Sequence, residues 1–219
     1  MCSMMDDANS ADGPDLYSQS VLVSSMVKEP EDLIDKDLIQ LLAFIKRLPM
    51  PTEEQIETKK LEFGEITRYK TLIFDLDETL IHSKLINPAT NTNQAMLQPQ
   101  GVSPGALNSD IGTDAAVSFE ISLPGSQAKF LVTQRPYMRR CLEHLSTYYE
   151  MAIFTAAEQT YADLIIDIID PERKFFSQRL YRHHCFKVDE VYVKDLRIID
   201  DRCLEDMIIV DNSILSFAG

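Results

Sequence analysis

Long apolar runs are missing from this sequence. None approaches the ~18 residues that a membrane-spanning helix needs, which excludes a helical membrane span. Positive charge is missing from the amino terminus, where Asp6, Asp7, Asp12 and Asp15 stand in the region that a signal peptide would make basic. It is scarce throughout: the net charge of -14 argues against direct nucleic-acid binding, which rests on basic surfaces. A phosphorylated substrate is not excluded, because one local cation can dominate a site. Cysteine is sparse as well. Cys2, Cys141, Cys185 and Cys203 never form C-x-x-C, so neither a zinc site nor a disulfide framework is expected. Reduced thiols fit an intracellular setting, nucleus or cytoplasm.

What remains is ordinary soluble composition, 45% hydrophobic and 26% charged over 219 residues, enough for one domain with a core and some added helices. Residues 1–27 are rich in Ser, Asp and Met and are expected to be poorly ordered. Residues 28–65 read as a helical extension. Pro30 suits a first helical position, and Ile34, Leu38, Leu41, Ile45 and Leu48 recur at spacings of four and three. That helix, 30–48, either docks on its own domain or serves a partner or a second copy. Thr52 and Gln55 form a capping-box pattern for a second helix, expected to end at Gly64.

From Tyr69 the pattern changes. Leu72-Ile73-Phe74 runs straight into Asp75, Met151-Ala152-Ile153-Phe154 into Thr155, and Met207-Ile208-Ile209-Val210 into Asp211-Asn212. Between these apolar strands lie an exposed insertion at 87–114 and a hairpin. In the hairpin Val117, Phe119, Ile121 and Leu123 alternate with polar residues, Pro124-Gly125 turns the chain, and Phe130-Leu131-Val132 returns. A helix is expected from Pro136 to about Tyr148. Another should carry Tyr161, Leu164, Ile165, Ile168 and Ile169 on one face and stop at Asp170-Pro171. Strands alternating with amphipathic helices imply an α/β fold with a parallel sheet. Ligands of such sheets bind beyond the carboxyl ends of the strands, so Asp75, Thr155 and Asp211 can meet.

Asp75-Leu76-Asp77-Glu78-Thr79 carries the chemistry. Residues two apart at a strand end share a side, so both carboxylates can face one substrate. A carboxylate can form an acyl phosphate and divide a difficult hydrolysis into two steps. A second can give a proton to the leaving oxygen and later take one from water. Thr79 could hold Asp77 in place. Alone the string is a weak signal, since two solvated aspartates at a turn would also explain it. Its position after an apolar strand, together with Lys194 and Asp211-Asn212, strengthens it. Three carboxylates and a phosphate dianion need positive charge, because unit charges about 4 Å apart interact by ~4 kcal/mol at an effective dielectric of 20. A hard ion such as Mg²⁺ suits oxygen ligands.

These residues resemble the haloacid dehalogenase superfamily. Within it they resemble the branch of RNA-polymerase-II C-terminal-domain phosphatases and small C-terminal-domain phosphatases, the NLI interacting factor-like group. The matching strings, in family order, are Phe74 to His82, Arg135-Pro136, Phe154-Thr155-Ala156, Tyr161-Ala162-Asp163, Leu180-Tyr181-Arg182, Tyr192 to Leu196 and Val210 to Ser213. The resemblance implies a Rossmann-like fold with a central parallel sheet and a small β-hairpin insertion over residues 66–219, preceded by the N-terminal helices. It implies a Mg²⁺-dependent phosphatase acting on phosphoserine or phosphothreonine in a protein or peptide, such as the RNA polymerase II C-terminal domain. Asp75 would be the nucleophile and Asp77 the acid/base. Thr155, Lys194, Arg182 and Thr79 would serve the phosphate and substrate. The metal set would be Asp75, the Asp77 main-chain carbonyl and Asn212, with Asp211 close by and paired to Lys194. The family domain runs on past the Asp-Asn-Ser motif through another strand and helix, so residues 66–219 read as a shortened version. Glu158 stands where relatives often carry an apolar residue.

Two other readings stay open. One is a pseudo-phosphatase that binds phosphopeptide or a partner without turnover. The other is a small-metabolite phosphatase, disfavoured because no inserted capping domain is legible. His183-His184-Cys185 is too crowded for a closed metal site. His82 reads as a packed or hydrogen-bonded residue. Cys185 lacks the following Arg that a cysteine phosphatase would need.

Overall fold

The computed structural model describes residues 36–86 and 116–217. The expected disorder at 1–27, the helix start at Pro30 and the insertion at 87–114 lie outside the described residues. The chain divides into two units, Met1–Arg47 and Leu48–Gly219. In the first, α1 spans Lys36–Ile45, inside the expected helix.

In the second unit, α2 spans Glu53–Glu57. The Thr52 side chain accepts from the Gln55 N–H while the Gln55 side chain accepts from the Thr52 N–H, which is the capping box read from the sequence. The helix stops at Thr58, earlier than Gly64. Gly64 does adopt a positive φ of 86°, but it turns the chain onto Asp201. That carboxylate takes the Phe63 and Gly64 N–H groups at 3.0 and 2.7 Å.

The centre of the unit is a four-stranded sheet in the order β6-β5-β1-β9, with every pair parallel. Its strands are β1 (Lys70–Phe74), β5 (Tyr149–Phe154), β6 (Phe176–Leu180) and β9 (Met207–Val210). The chain moves outward from β1 to β5 and β6, then returns to set β9 on the other side of β1. That reversal opens a crevice beyond the carboxyl ends of β1 and β9, where open α/β sheets take their ligands.

Alternation along β1 explains the two cores. Leu72 and Phe74 join Met151, Ile153 and Phe176 on one face, and Ile73 joins Ala152, Phe154, Leu180 and Met207 on the other. Helices α3 (Met138–Leu145) and α4 (Gln159–Ile169) and a second sheet cover the first face. That sheet is antiparallel, in the order β2-β4-β3, from β2 (Ile81–Ile86), β3 (Ser118–Ser122) and β4 (Lys129–Gln134). Ile56 of α2 and the small hairpin of β7 (Phe186–Val188) and β8 (Val191–Val193) cover the second face.

Several expectations shift. The hairpin is present, with Gly125 at φ 73° and the Ser126 N–H on the Leu123 carbonyl, the positive φ that the third position of a type II turn requires. Its third strand, β2, is not legible in the sequence. Helix α3 is shorter at both ends than 136–148; its start is set by Tyr137, which precedes it at φ 62°. The buried face of α4 is Ala162, Ile165, Ile166 and Ile169, rotated from the apolar stripe read from the sequence. Tyr161 is thereby left half-exposed at the crevice. Asp170 ends the helix as expected, its carboxylate accepting the N–H groups of Lys174, Phe175 and Phe176. Met207–Val210 reads as a sheet-interior strand, yet among the described residues it is an edge, with Ile208 43% and Val210 40% exposed.

One buried charge pair holds the amino ends of the sheet. Glu150 accepts two hydrogen bonds from the Arg202 guanidinium, at 2.9 and 3.1 Å, and one from Thr71 at 3.2 Å. Removing the cation leaves a buried carboxylate with only a hydroxyl partner. Arg202→Ala should therefore lower the unfolding free energy by about 3 kcal/mol, as measured by urea denaturation. Arg202→Ala combined with Glu150→Leu should cost less than the single change.

Candidate active site

Asp75 is the residue after β1, and its N–H continues the ladder to the Val210 carbonyl at 2.9 Å. Because Phe74 lies opposite Val210, Asp75 and Asp211 leave the sheet side by side. Two carboxylates so placed would repel. Lys194, which follows β8, sits between them: its Nζ is 2.5 Å from Asp75 Oδ1 and 2.6 Å from Asp211 Oδ2, with the lysine side chain 1% exposed. Lys194 is in turn held through its main-chain N–H on the Ser216 carbonyl at 2.5 Å. Burial pushes the Asp75 carboxyl above its ordinary value, and the Lys194 charge opposes that.

Asp77 lies two residues on, in the same open cleft of about 530 Å³. Burial raises its carboxyl too. A hydrogen bond from Tyr161 opposes the rise, and the neighbouring Asp75 charge adds to it. The two carboxylates thus differ in their partners, a cation for Asp75 and a neutral phenol for Asp77.

Tyr161 Oη is 2.7 Å from Asp77 Oδ1 and 2.6 Å from Ser83 Oγ. The sequence marks Tyr161 as a helix-face residue and as part of the Tyr161-Ala162-Asp163 string, with no role in the site, and Ser83 not at all. The missing signal is β2, whose pairing with β4 (Ser83 opposite Val132) carries Ser83 to the cleft.

Thr155 lies fully buried after β5, its hydroxyl accepting the Ala157 N–H at 3.0 Å. Arg182 lines the cleft. Its Nε donates to the Ala156 carbonyl at 2.6 Å, one terminal nitrogen pairs with Glu158 at 2.8 Å, and its plane lies over Tyr192 at 5.1 Å. Leu123 and Phe130 of the hairpin form the apolar wall.

One expected contact is not made. Thr79 does not hold Asp77: its hydroxyl is buried with no hydrogen-bond partner among the described residues, and it is absent from the cleft lining. The turn through Glu78, at φ 61°, is held by Arg135 instead, which donates to the Thr79 and Glu78 carbonyls at 2.6 and 2.9 Å. Asp211 is paired to Lys194 as expected, at 2.6 Å, and its other oxygen takes the Ser213 N–H at 2.8 Å.

Asp75, Asp77 and Asn212 all line the cleft, offering a carboxylate, a main-chain carbonyl and an amide oxygen. These are hard donors of the kind Mg²⁺ takes alongside water and phosphate. Among the described residues no three His, Cys, Asp or Glu side chains gather around a metal-sized point, and a donor set drawn partly from main chain and amide is consistent with that. The remaining candidates have structural explanations. His82 Nδ1 pairs with Glu78 at 2.5 Å on the surface. His184 Nδ1 accepts the Tyr181 N–H at 2.9 Å, and burial beside His183 lowers its pKa to about 4. Burial pushes the Cys185 thiol up to about 11, which keeps it protonated and unreactive at neutral pH.

Comparison with known proteins bears out the family resemblance. The family model described as NLI interacting factor-like phosphatase matches residues 70–219. The chain is 34% identical over 149 residues to Nuclear envelope morphology protein 1 of Schizosaccharomyces pombe, covering 68% of this chain and 26% of that protein. It is 29% identical over 213 residues to CTD small phosphatase-like protein 3 of Caenorhabditis elegans, covering 91% of this chain and 65% of that one. A solved structure of the fission yeast RNA polymerase II CTD phosphatase Fcp1 aligns over 83% of this chain and 41% of its own, at 22% identity and a TM-score of 0.48. The chain therefore spans less than two thirds of the length of these curated relatives.

Lys194 is the test of the site's electrostatics. Lys194→Met would strand two carboxylates against each other, and should lower stability by about 3 to 5 kcal/mol. Adding Asp211→Asn should recover part of the loss, because it removes one of the stranded charges. Urea titrations of the three proteins measure this, and a double variant no more stable than the single one would contradict it.

Proposed function

Since the chain belongs to the family of NLI interacting factor-like phosphatases, we propose that it is a protein phosphatase that removes phosphate from phosphoserine or phosphothreonine through an aspartyl-phosphate on Asp75. The observation that carries this is the convergence of Asp75, Asp77 and Lys194 in one open cleft, with Lys194 between Asp75 and Asp211. An open cleft with an apolar wall at Leu123 and Phe130 suits a peptide better than an enclosed small metabolite. The joint presence of nucleophile, acid/base and lysine supports turnover over a binding-only role.

In the first step an Asp75 oxygen bonds to phosphorus and the bond from phosphorus to the serine or threonine oxygen breaks. The leaving oxygen takes the proton of Asp77. In the second step Asp77 takes a proton from water, the water oxygen bonds to phosphorus, and the bond from phosphorus to Asp75 breaks, giving inorganic phosphate. Lys194 holds Asp75 in its attacking position and offsets phosphoryl charge. Thr155 and Arg182 line the region where phosphate oxygens would lie. Asp75, the Asp77 carbonyl and Asn212 would hold Mg²⁺, which when bound supplies the positive charge that neutralises carboxylates and phosphate dianion.

The relatives' names point to nuclear envelope and CTD phosphatases, which supports an intracellular setting and a phosphoprotein substrate, the RNA polymerase II C-terminal domain among the candidates.

Asp75→Asn removes the attacking oxygen while nearly preserving shape. It should reduce hydrolysis of a phosphoserine peptide at least a hundredfold, about 3 kcal/mol or more in barrier; activity above a tenth of wild type would overturn the assignment. A chelator should stop turnover reversibly. Mg²⁺ should restore it and Ca²⁺ should restore it poorly, since Ca²⁺ takes more and longer oxygen bonds. Full activity in excess chelator would exclude the metal requirement.

A further inference from the structure

We infer that Tyr161 is the positioning residue for the Asp77 carboxylate, and that Ser83 fixes the tyrosine hydroxyl in turn; this rests on the acid/base role proposed above for Asp77. Three elements supply the chain of contacts. Asp77 follows β1, Tyr161 stands in the first turn of α4, and Ser83 is in β2. The phenol oxygen lies 2.7 Å from Asp77 Oδ1 and 2.6 Å from Ser83 Oγ. Asp77 Oδ1 accepts when the carboxylate is ionised and also when the acid proton sits on Oδ2, and a phenol carries one proton, so Tyr161 donates to Asp77 and accepts from the Ser83 hydroxyl.

The ring itself is held by Phe130 of β4, packed edge-on at 5.6 Å and 70°. The tie therefore reaches from the acid/base to the antiparallel sheet that forms the cleft's apolar wall. Among the described residues, Tyr161 makes the sole side-chain hydrogen bond to Asp77. The residue that the motif itself offers, Thr79, does not reach it, and Arg135 touches only main chain. Without Tyr161 the Asp77 carboxylate would turn about its own side-chain bonds. A proton donor has to lie within about 3 Å of the leaving oxygen, and the same carboxylate, acting as base in the second step, has to meet the water at that place.

Leaving-group dependence separates this role from a merely structural one. Expelling a serine alkoxide demands a proton in the transition state, whereas an aryl oxide leaves with little help. Tyr161→Phe keeps the ring and its packing and removes only the donor. It should lower kcat on a phosphoserine peptide about tenfold, a fraction of the general-acid contribution. KM should be little changed, and the loss on an aryl phosphate should be no more than about twofold. Ser83→Ala should act in the same direction and less strongly. In an Asp77→Asn background, Tyr161→Phe should add nothing, because the two act as one unit.

Crystal structures of wild type and Tyr161→Phe give a readout independent of turnover. Asp77 should occupy one rotamer in the wild type, and a different or divided one in the variant. Equal losses on both substrates, a loss that persists beside Asp77→Asn, or an Asp77 rotamer that stays put in the variant would each overturn the inference. A wild-type protein that hydrolyses neither substrate would sink the phosphatase reading. The rotamer comparison would still decide the tie.

Discussion

A single ammonium group between two carboxylates organises this molecule. Lys194 is almost fully buried, and a buried cation is tolerable only where it is paired. Its partners are the first residues beyond two adjacent parallel strands, and their separation is fixed by the register that sets Phe74 opposite Val210. The lysine arrives from elsewhere, on the chain that leaves the β7–β8 hairpin, and is pinned by its own N–H on Ser216. The hairpin, the sheet's switch point and the segment after β9 thus meet at one charge. At an effective dielectric of 20, two like charges about 4 Å apart would cost ~4 kcal/mol, so the sheet ends need the lysine as much as the lysine needs them.

Around that centre the protein gives two chemically identical side chains different surroundings. Asp75 faces a full positive charge, and Asp77 faces only a phenol. Under the proposed mechanism, such unlike environments separate the acid from the nucleophile. The separation is built from layers. The lysine comes from the side of the sheet covered by α2 and the small hairpin. The phenol comes from α4, on the opposite side, where β2, β3 and β4 pack. The cleft is therefore shared between two cores, and its apolar wall belongs to the same antiparallel sheet that reaches Tyr161 through Ser83 and Phe130.

Charge at the rim is managed in the same manner. Arg182 has its guanidinium tied to the Ala156 carbonyl, to Glu158 and to the face of Tyr192. An arginine held in that way is fixed in orientation, and under the proposed function that orientation is what would make its planar donor fork useful.

The apolar strands β1, β5 and β9, the capping box at Thr52, the helix stop at Asp170 and the Pro124-Gly125 turn were all legible from residue order, because each is decided by local chemistry. Strand-end placement alone brought Asp75, Thr155 and Asp211 together in the reading, since a parallel sheet gathers such residues whatever lies between them. β2 and β6 were not legible. Their strands, Ile81–Ile86 and Phe176–Leu180, carry His, Ser, Lys, Gln and Arg, and they become strands only because a neighbour supplies the ladder and, for Arg179, because Asp163 and Asp167 take its charge. The same limit explains the misassigned partner of Asp77. Sequence proximity favours Thr79, two residues away, whereas the hydrogen bond comes from Tyr161, a helix later. Residue order determined which groups could do the chemistry. Only the packing of α4 against β2 and β4 decided what holds Asp77, because a hydrogen bond depends on distance in space and a sequence records distance along the chain.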